Sequence, residues 1–180
     1  VVRTKLNVEF ISQVRPRAAQ PKASEVKMAD ELKKTHEVYK DGKIVSDDWN
    51  YISDEEPLPE EGKRIFSLER FLKEEQDLKK TNLSLGVVLR AGDKAEDLTD
   101  HLEALELIAV DFPSFSDGRG FSAARILRDG LHYGGEVRAV GPFILDQIGF
   151  MMRVGIDSFA LDNPRLRADL EAGNLNEVTA

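Results

Sequence analysis

The sequence predicts an α/β fold: a parallel sheet of four strands built from βα repeats, with an N-terminal β-hairpin added to it. Apolar runs of strand length are centred near Val87, Ile108, Arg138 and Phe159, at separations of 21, 30 and 21 residues. Parallel strands need such spacings because each connection must cross the sheet, usually through a helix. Four units alone do not close a barrel, so we expect an open sheet, with a half-barrel as the alternative.

The two ends of the chain are predicted to lie outside this sheet. Residues 1–27 hold six Lys or Arg and two Asp or Glu, a net charge of +4 that leaves −12 on residues 28–180. Since the sequence does not begin with Met and Met28 is a natural start, we expect residues 1–27 to be an added basic extension rather than a functional arm. Residues 163–180 are expected to form a C-terminal tail, frayed or ordered by a partner, with a weak helix near Leu166 to Leu170.

Residues 28–62 are predicted to form the hairpin and an acidic linker. Short apolar pairs flank Asp41-Gly42, which supplies the positive φ angles that a two-residue hairpin turn requires. Trp49 and Tyr51 continue the same alternation within a hairpin predicted to run to Ile52, and we expect them to cap one end of the core. The stretch from Ser53 to Gly62 contains five acidic residues and two prolines, a composition typical of a solvated linker.

The α/β domain is predicted to span residues 63–162. Its first helix runs from Phe66 to Leu78, with Ser67 as the N-cap. Leu83 to Leu89 is an almost unbroken apolar run, as in a strand that is buried on both faces. An Asp-x-x-Glu spacing with an apolar stripe behind it then predicts a second helix from Asp93 to about Leu105.

The rest of the domain is predicted to be strand, helix, strand, helix, strand. One strand ends at Asp111, and helical spacing follows from Phe121 to Leu131. After the next strand, Pro142 can begin a helix, because the N–H groups of the first helical turn have no partner within the helix and proline lacks this group. Gly155 is expected to end that helix, whose apolar face would contain Ile144, Ile148, Met151 and Met152. A short strand from Ile156 to Leu161 completes the sheet.

Composition excludes several functional classes. A net charge of −8 over 180 residues disfavours nonspecific nucleic-acid binding. No apolar run approaches the roughly 20 residues that span a bilayer, so no membrane segment is expected. The absence of cysteine excludes disulfides, thiolate nucleophiles and Cys-ligated metal centres, and it fits a cytoplasmic location. The three histidines, His36, His101 and His132, show no ligand spacing, so a metal site is possible only through carboxylates, and none is expected. No cofactor is expected either, because the chain lacks a phosphate-loop motif and a dinucleotide fingerprint.

Candidate binding residues follow the strands, because ligands of parallel sheets bind beyond the strands' carboxyl ends. Arg119 and Gly120 also open a helix, where free N–H groups attract anions, and arginine offers a planar donor fork. The alternative is structural: Asp117 caps the helix, the glycines relieve backbone strain and Arg119 is solvated. The residues placed at this edge are Arg90, Asp111, Asp117, Gly118, Arg119, Gly120, Gly141 and Asp162.

Arg138 is assigned to the same candidate site, which would bind a small anion or a partner's carboxylate, and Asp146 and Gln147 are a candidate second polar pair. Arg138 interrupts an apolar strand, so its charge must either find a partner or reach solvent. We expect Asp111 on the neighbouring strand to pair with it, or else Arg138 to point outward from an edge strand. Asp146 and Gln147 could supply a second polar pair, or they could simply lie on the solvated face of a helix. No residue can be assigned a catalytic role.

Two segments, DFPSFSDGRGFSAARILRDGLHYGGEVRAVG and LDQIGFMMRVGIDSFAL, closely resemble a bacterial family of unknown function, the domain of unknown function 934. The resemblance covers about residues 36–162 and is most specific in DFPSFSDGRGFS and GEVRAVG. Such sequences commonly have tyrosine at the position of Phe121. The family pattern falls on Asp111, Phe112, Pro113, Phe115, Asp117, Gly118, Arg119, Gly120, Ser122, Arg125, Arg138, Gly141, Asp146 and Gln147.

The resemblance implies a pathway rather than a reaction. Members of the family are typically encoded beside assimilatory sulfite reductase and are often labelled as oxidoreductases of sulfite reduction. Because this chain has no cysteine and no clear flavin or nicotinamide motif, we expect an accessory protein that binds sulfite reductase or another pathway component. The alternative is an enzyme that acts on a small anion at the strand ends. The sequence leaves oligomerisation open.

Overall fold

The computed structural model describes residues 37–114 and 116–175, so residues 1–27 and His36 lie outside the described part. Eight strands and four helices are found there. The strands are β1 (Glu37–Lys40), β2 (Lys43–Ser46), β3 (Trp49–Tyr51), β4 (Glu61–Ser67), β5 (Asn82–Leu89), β6 (Leu105–Asp111), β7 (Glu136–Val140) and β8 (Ser158–Ala160). The helices are α1 (Leu68–Leu78), α2 (Arg119–Arg125), α3 (Leu145–Arg153) and α4 (Pro164–Glu171).

All eight strands belong to one sheet, in the order β2-β1-β8-β7-β6-β5-β4-β3. Strands β3 to β8 are parallel neighbours, whereas β1 is antiparallel to both β2 and β8. The four predicted strands correspond to β5–β8, and their parallel arrangement is confirmed. The prediction of only four strands in the sheet is wrong, because β3 and β4 extend the parallel part and the hairpin joins the same sheet.

The sheet is open but so strongly curled that it forms a half-barrel. Strands β2 and β3 lie at opposite edges, yet only Asp47 and Asp48 separate them along the chain. Three Cα–Cα steps reach at most about 11 Å, so the end of one edge strand must lie near the start of the other. The hairpin predicted to run to Ile52 therefore ends at Ser46. Trp49 and Tyr51 form β3 on the far edge beside β4, and both side chains are buried.

The hairpin turn itself is confirmed. Asp41 and Gly42 have φ angles of 51° and 76°, and Lys40 pairs with Lys43 across the turn. Both central residues thus have the positive φ that a type I′ turn requires.

Strand β4 was not predicted, because Glu61 and Gly62 at its start resemble the end of an acidic linker. The helix after it begins at Leu68 rather than at Phe66, which belongs to β4, and its N-cap is Ser67 as expected. The Ser67 hydroxyl accepts a hydrogen bond from the Arg70 backbone N–H at 3.2 Å, which caps the first turn of α1.

The connection from β5 to β6 differs from the predicted helix between Asp93 and Leu105. It contains only two 3₁₀ turns, Ala95–Leu98 and Leu102–Ala104. The Asp93 carboxylate accepts from the Arg90 backbone N–H at 2.8 Å, so it stabilises the turn after β5 instead of capping a helix. The full helix predicted here is therefore absent.

The last two crossover helices are close to their predicted positions. α2 begins at Arg119 and continues through a π-helical turn, Ile126–Gly130. α3 begins at Leu145 rather than at Pro142, because Gly141 has a φ of 100° and its carbonyl accepts from the Phe143 N–H at 2.9 Å. This tight turn keeps Pro142 outside the helix.

Both faces of the sheet are buried, which explains the continuous apolar runs. One face packs beneath the helices and the other forms a second cluster, which contains Trp49, Tyr51, Ile65, Val88, Leu107, Ala109, Val140 and Ala160. Leu166 and Leu170 of α4 are also buried, so the weak helix expected near them is docked on the domain rather than frayed.

Candidate functional site

The carboxyl edge of the sheet brings together two predicted residues, Arg90 and Asp111. They follow the registered pair Leu89 and Val110 at the ends of β5 and β6, so they are neighbours across the sheet. The Arg90 guanidinium donates to the Tyr51 hydroxyl at 2.7 Å. A phenol, a guanidinium and a carboxylate therefore lie along one rim.

Gly141 lies against this rim and must be glycine. A Cβ atom there would lie 2.5 Å from the Phe112 carbonyl oxygen and 3.0 Å from Asp111 Oδ1, and its φ is 100°. The Asp111 carboxylate thus packs on the backbone at the end of β7. Asp162 follows β8 farther along the same edge.

Asp117 and Arg119 form a local ion pair at the start of α2. Arg119 Nε and Nη2 donate to the two carboxylate oxygens at 2.9 Å and 2.5 Å, and the Arg119 backbone N–H donates to Oδ1 at 3.1 Å. These bonds from Arg119 lower the pKa of Asp117 to about 2. The fork that was expected to meet an external anion is therefore already occupied by a neighbouring carboxylate, although the Arg119 side chain is 63% exposed.

The two glycines of this loop have different roles. A Cβ atom at Gly118 would meet nothing within 4 Å, and its backbone φ of −82° is open to any residue. A Cβ atom at Gly120 would lie 2.6 Å from the Phe112 ring. Gly120 is therefore needed for α2 to pack against Phe112.

Arg138 does not belong to the carboxyl edge, and both expectations for it are wrong. β7 lies between β6 and β8, so it is not an edge strand. The Arg138 side chain is only 4% exposed, and its guanidinium donates to both carboxylate oxygens of Asp47 at 2.8 and 3.0 Å. It also donates to Glu136 at 2.8 Å, so its partners are Asp47 and Glu136 rather than Asp111.

Arg138 is part of a buried charge network at the other end of the parallel strands. Glu136 and Ser158 are the first residues of β7 and β8, and Lys40 ends the antiparallel β1 beside them. Lys40 Nζ lies 2.6 Å from Glu136 Oε2, and the Ser158 hydroxyl donates to Glu136 Oε1 at 2.6 Å. Burial acts to raise the pKa of Glu136, but the charge of Arg138 and the bonds from Lys40 and Ser158 outweigh it and hold the pKa at about 2.

Asp146 and Gln147 lie in the first turn of α3. The Gln147 side-chain oxygen accepts from the Ile144 backbone N–H at 3.2 Å, which ties down the start of the helix. Asp146 is exposed, so the two residues do not share one environment.

Comparison with protein families gives one informative result. A family model described as a bacterial protein of unknown function (DUF934) matches residues 86–179. This chain belongs to the DUF934 family. The match begins within β5 and extends past α4, whereas the sequence resemblance was expected over about residues 36–162. A comparison with curated proteins gives no match.

Two further findings concern the described residues of this DUF934 protein. No group of three or more His, Asp or Glu side chains in residues 37–114 and 116–175 is arranged to hold a metal ion. Nor does that part of the chain contain a helix long and apolar enough to cross a membrane.

Arg128, within the family match, is an important residue that sequence reasoning missed. Its guanidinium donates to the carbonyl oxygens of Gly155 at 2.8 Å and Gly135 at 2.9 Å, and it pairs with Asp157. It thereby joins the end of α2 to the loops that enter β7 and β8. An arginine on a helix is usually solvated, and only the glycine-rich loop after it hints at such close backbone contact.

Arg70, outside the family match, was also missed. It is buried and donates to the backbone carbonyls of Ser53 and Glu56, the latter at 2.7 Å. The acidic linker is therefore fixed to α1 at this point. The sequence carries no signal for this contact, because the only nearby pattern is the ordinary i,i+4 pair with Glu74.

An exposed aromatic surface lies on the outer side of α2 and α3. The rings of Phe121 and Phe150 are 4.9 Å apart between centroids, and the Arg153 guanidinium lies over Phe150 at 5.5 Å. Phe150 is 46% exposed. We call these three residues the α2–α3 face.

The predicted apolar face of α3 is only half correct. Ile148 and Met151 are fully buried, but Ile144 and Met152 are exposed. Two apolar side chains that were predicted to be buried therefore lie on the surface at α3.

Proposed function

We propose that this DUF934 protein is an accessory protein of assimilatory sulfate or sulfite reduction that binds sulfite reductase or another pathway component. The observation that carries the proposal is the α2–α3 face. It combines an exposed phenylalanine with an arginine and lies within the family match. The link to the pathway is supported by the sequence resemblance to proteins encoded beside assimilatory sulfite reductase.

The chemistry of the α2–α3 face favours protein binding. Aromatic residues, methionine and arginine are enriched at the centres of protein interfaces, where a few such residues supply most of the binding energy. Phe150 rests on Phe121, which in turn contacts the buried Phe112 at 5.1 Å. The exposed ring is thus supported from below, so little side-chain entropy would be lost on binding.

The composition of the chain also favours an accessory role over a self-contained reductase. The 180 residues include no cysteine, so the chain cannot supply thiolate ligands to an iron–sulfur centre. In addition, Arg119 and Arg138 are each paired with carboxylates of the chain itself. Because these two arginines already have partners, binding of another protein at the exposed surface is better supported than binding of an anion by the arginines.

A pull-down from sulfate-grown cells tests the proposal. The tagged chain should retain sulfite reductase, and turnover of the purified reductase should change when the chain is added. Phe150→Asp should abolish retention, because it places an unpaired charge in the contact. Leu72→Asp is the matched control, since Leu72 is a similarly exposed apolar residue on α1. Equal retention by both variants would contradict a role for the α2–α3 face, and failure to retain any pathway protein would contradict the function.

A second candidate is an enzyme that acts on a small anion at the carboxyl edge, and one observation favours it. Arg90, Tyr51 and Asp111 place a cation, a hydroxyl and a carboxylate together where ligands of parallel sheets bind. Calorimetric titration with sulfite, sulfate and phosphate would detect such a site. Anion binding that is lost in Arg90→Ala but retained in Arg119→Ala would favour the enzyme. If no anion binds, the enzyme is contradicted and the accessory function remains.

A further inference from the structure

A cleft on the helical side of the sheet remains without a role in the proposed function. It lies between α1 and the turn Leu102–Ala104, with a volume of about 210 Å³. The side chains of Phe71, Leu78 and Leu85 are all buried and form an apolar floor. The cleft therefore offers a narrow surface that can exclude water from an aliphatic chain.

The cleft exists because the connection from β5 to β6 has no full helix. Two 3₁₀ turns cover less of the sheet than a crossover helix would. The strands are also out of regular register here, since Leu85 pairs with Leu105 but Gly86 pairs with Leu107. Glu106 is therefore the extra, unpaired residue of a β-bulge, and such bulges bend the strand locally.

The rim of the cleft is acidic, and two of its carboxylates are not neutralised. Glu75 is held by Lys79 Nζ at 2.5 Å and by His101 Nδ1 at 3.1 Å. Asp100 and Glu103 are exposed and make no ion pair or side-chain hydrogen bond within the described residues. The rim thus has two carboxylates available beside an apolar floor.

We propose that this cleft binds a long basic side chain, arginine or lysine, presented by a partner protein. The methylene stem lies on the floor, as such stems do on apolar surfaces, and the cationic head meets Asp100 and Glu103. The volume of 210 Å³ is below the roughly 300 Å³ at which small-molecule pockets begin, so it suits a single side chain better than a cofactor. The net charge of −8 further favours a basic partner over a second copy of this chain.

The proposal is independent of the α2–α3 face and of the function proposed above. The lining of the cleft includes Leu85 of β5 but no residue of α2 or α3, whereas the candidate residues Arg90 and Asp111 lie at the carboxyl ends of β5 and β6. A variant that closes one surface should therefore leave the other intact, and each can fail without the other.

The test is a titration of the full chain followed by ¹⁵N–¹H NMR spectra. The probes are an Ala-Ala-Arg-Ala-Ala pentapeptide, the same peptide with lysine, and the same peptide with citrulline, the uncharged isostere of arginine. The arginine and lysine peptides should produce saturable shift changes at His101, Ala104 and Leu85. The citrulline peptide should bind more weakly, because the carboxylates then lose their charged partner.

Paired variants identify the carboxylates. Asp100→Asn with Glu103→Gln should weaken binding of the arginine peptide by about fivefold, as expected for two exposed ion pairs. Glu96→Gln with Asp97→Asn is the matched control, since these two acids lie in the adjacent turn but do not line the cleft. The control should change affinity by less than about twofold, because exposed charges outside a contact contribute little.

Three outcomes would overturn the proposal. The first is the absence of saturable shifts at the cleft with either basic peptide. The second is equal binding of the arginine and citrulline peptides, which would remove the role of charge. The third is binding of free arginine without binding of either basic peptide, which would make the cleft a small-molecule site.

Discussion

Arg119 and Arg138 carry the same side chain and were assigned to the same candidate site, yet their surroundings are opposite. Arg119 is 63% exposed and pairs with Asp117, two residues away in one loop. Arg138 is 4% exposed and pairs with Asp47, which is 91 residues away. One pair fixes a local turn, whereas the other ties a central strand to the connection between the two edge strands.

The comparison shows how burial changes the effect of an ion pair on the stability of the fold. An exposed pair gains little because water solvates both charges, so the loss of either partner matters little. Both charges of a buried pair are desolvated, so the loss of one partner leaves the other as a buried charge with neither a counter-ion nor water. The same two residue types can therefore be nearly neutral at one position and essential at another.

The largest expected effect is at Arg138. Arg138→Ala should lower the free energy of unfolding by about 3–5 kcal/mol, because it leaves Asp47 and Glu136 without their buried cation. Urea denaturation of the variant and the parent chain measures this. A loss below 1 kcal/mol would show that water compensates the carboxylates and would remove the contrast with Arg119.

A double substitution separates pairing from packing in the same network. Arg138→Met combined with Asp47→Leu should recover much of the stability that Arg138→Ala loses, because no charge is then left unpaired between these two positions. Glu136 keeps its contact with Lys40 at 2.6 Å in that variant.

The next effect concerns the packing behind Arg119. Gly120→Ala should destabilise the chain by about 1–3 kcal/mol, because its Cβ would overlap the Phe112 ring. Gly118→Ala is the control in the same loop and should be neutral or stabilising by up to about 1 kcal/mol, since its backbone suits alanine. Thermal melts of both variants give the comparison, and equal effects would contradict the packing role of Gly120.

Acid should weaken the buried network around Glu136 and so lower the stability of the domain. The pKa of Glu136 is about 2 in the folded chain, below its ordinary value of 4.5. Its contribution to stability is therefore present above pH 4.5 and is lost as the pH falls from 4.5 to about 2. We expect a contribution of about 1–2 kcal/mol after allowance for solvent screening.

The variant Glu136→Gln isolates this contribution. The free energy of unfolding of Glu136→Gln should depend less on pH between 4.5 and 2 than that of the parent chain. An unchanged slope in urea denaturation over this range would assign the acid sensitivity to other carboxylates.

The smallest effect is expected at Arg119. Arg119→Ala should change the free energy of unfolding by no more than about 0.5 kcal/mol, as is usual for an exposed position. The same urea experiment as for Arg138→Ala tests it. A loss comparable with that of Arg138→Ala would show that the Asp117–Arg119 pair fixes the loop structurally.

Local patterns in the sequence predicted much of the fold. The Asp41-Gly42 turn, the Ser67 cap and the four apolar strands β5–β8 all depend on neighbours within a few residues, and all are found. Strand β4 and the position of β3 were not predicted, because they depend on which strands meet across the curled sheet. The short acidic and polar start of β4 gives no local sign of that pairing.

The candidate site was harder to predict, for the same reason. Arg90 and Asp111 could be placed at the same edge of the sheet because each stands at the carboxyl end of a predicted parallel strand. The partner of Arg138 could not, because Asp47 approaches it only when the sheet curls and its edges meet. Arg128 and Arg70 were overlooked because each binds backbone carbonyls that are distant in sequence, and no residue type marks such a carbonyl.

The position of β1 beside β8 has a consequence for biosynthesis. Val38 pairs with Ala160, so the first described strand has no neighbour except β2 until nearly the whole domain has been translated. At roughly 5–20 residues per second, that interval lasts on the order of ten seconds. During it the nascent hairpin exposes Val38 and Tyr39, both of which end up buried, and isolated hairpins are only marginally stable in water. We therefore expect the β1–β2 hairpin to gain protection from hydrogen exchange last on the ribosome, although it is made before every other described strand.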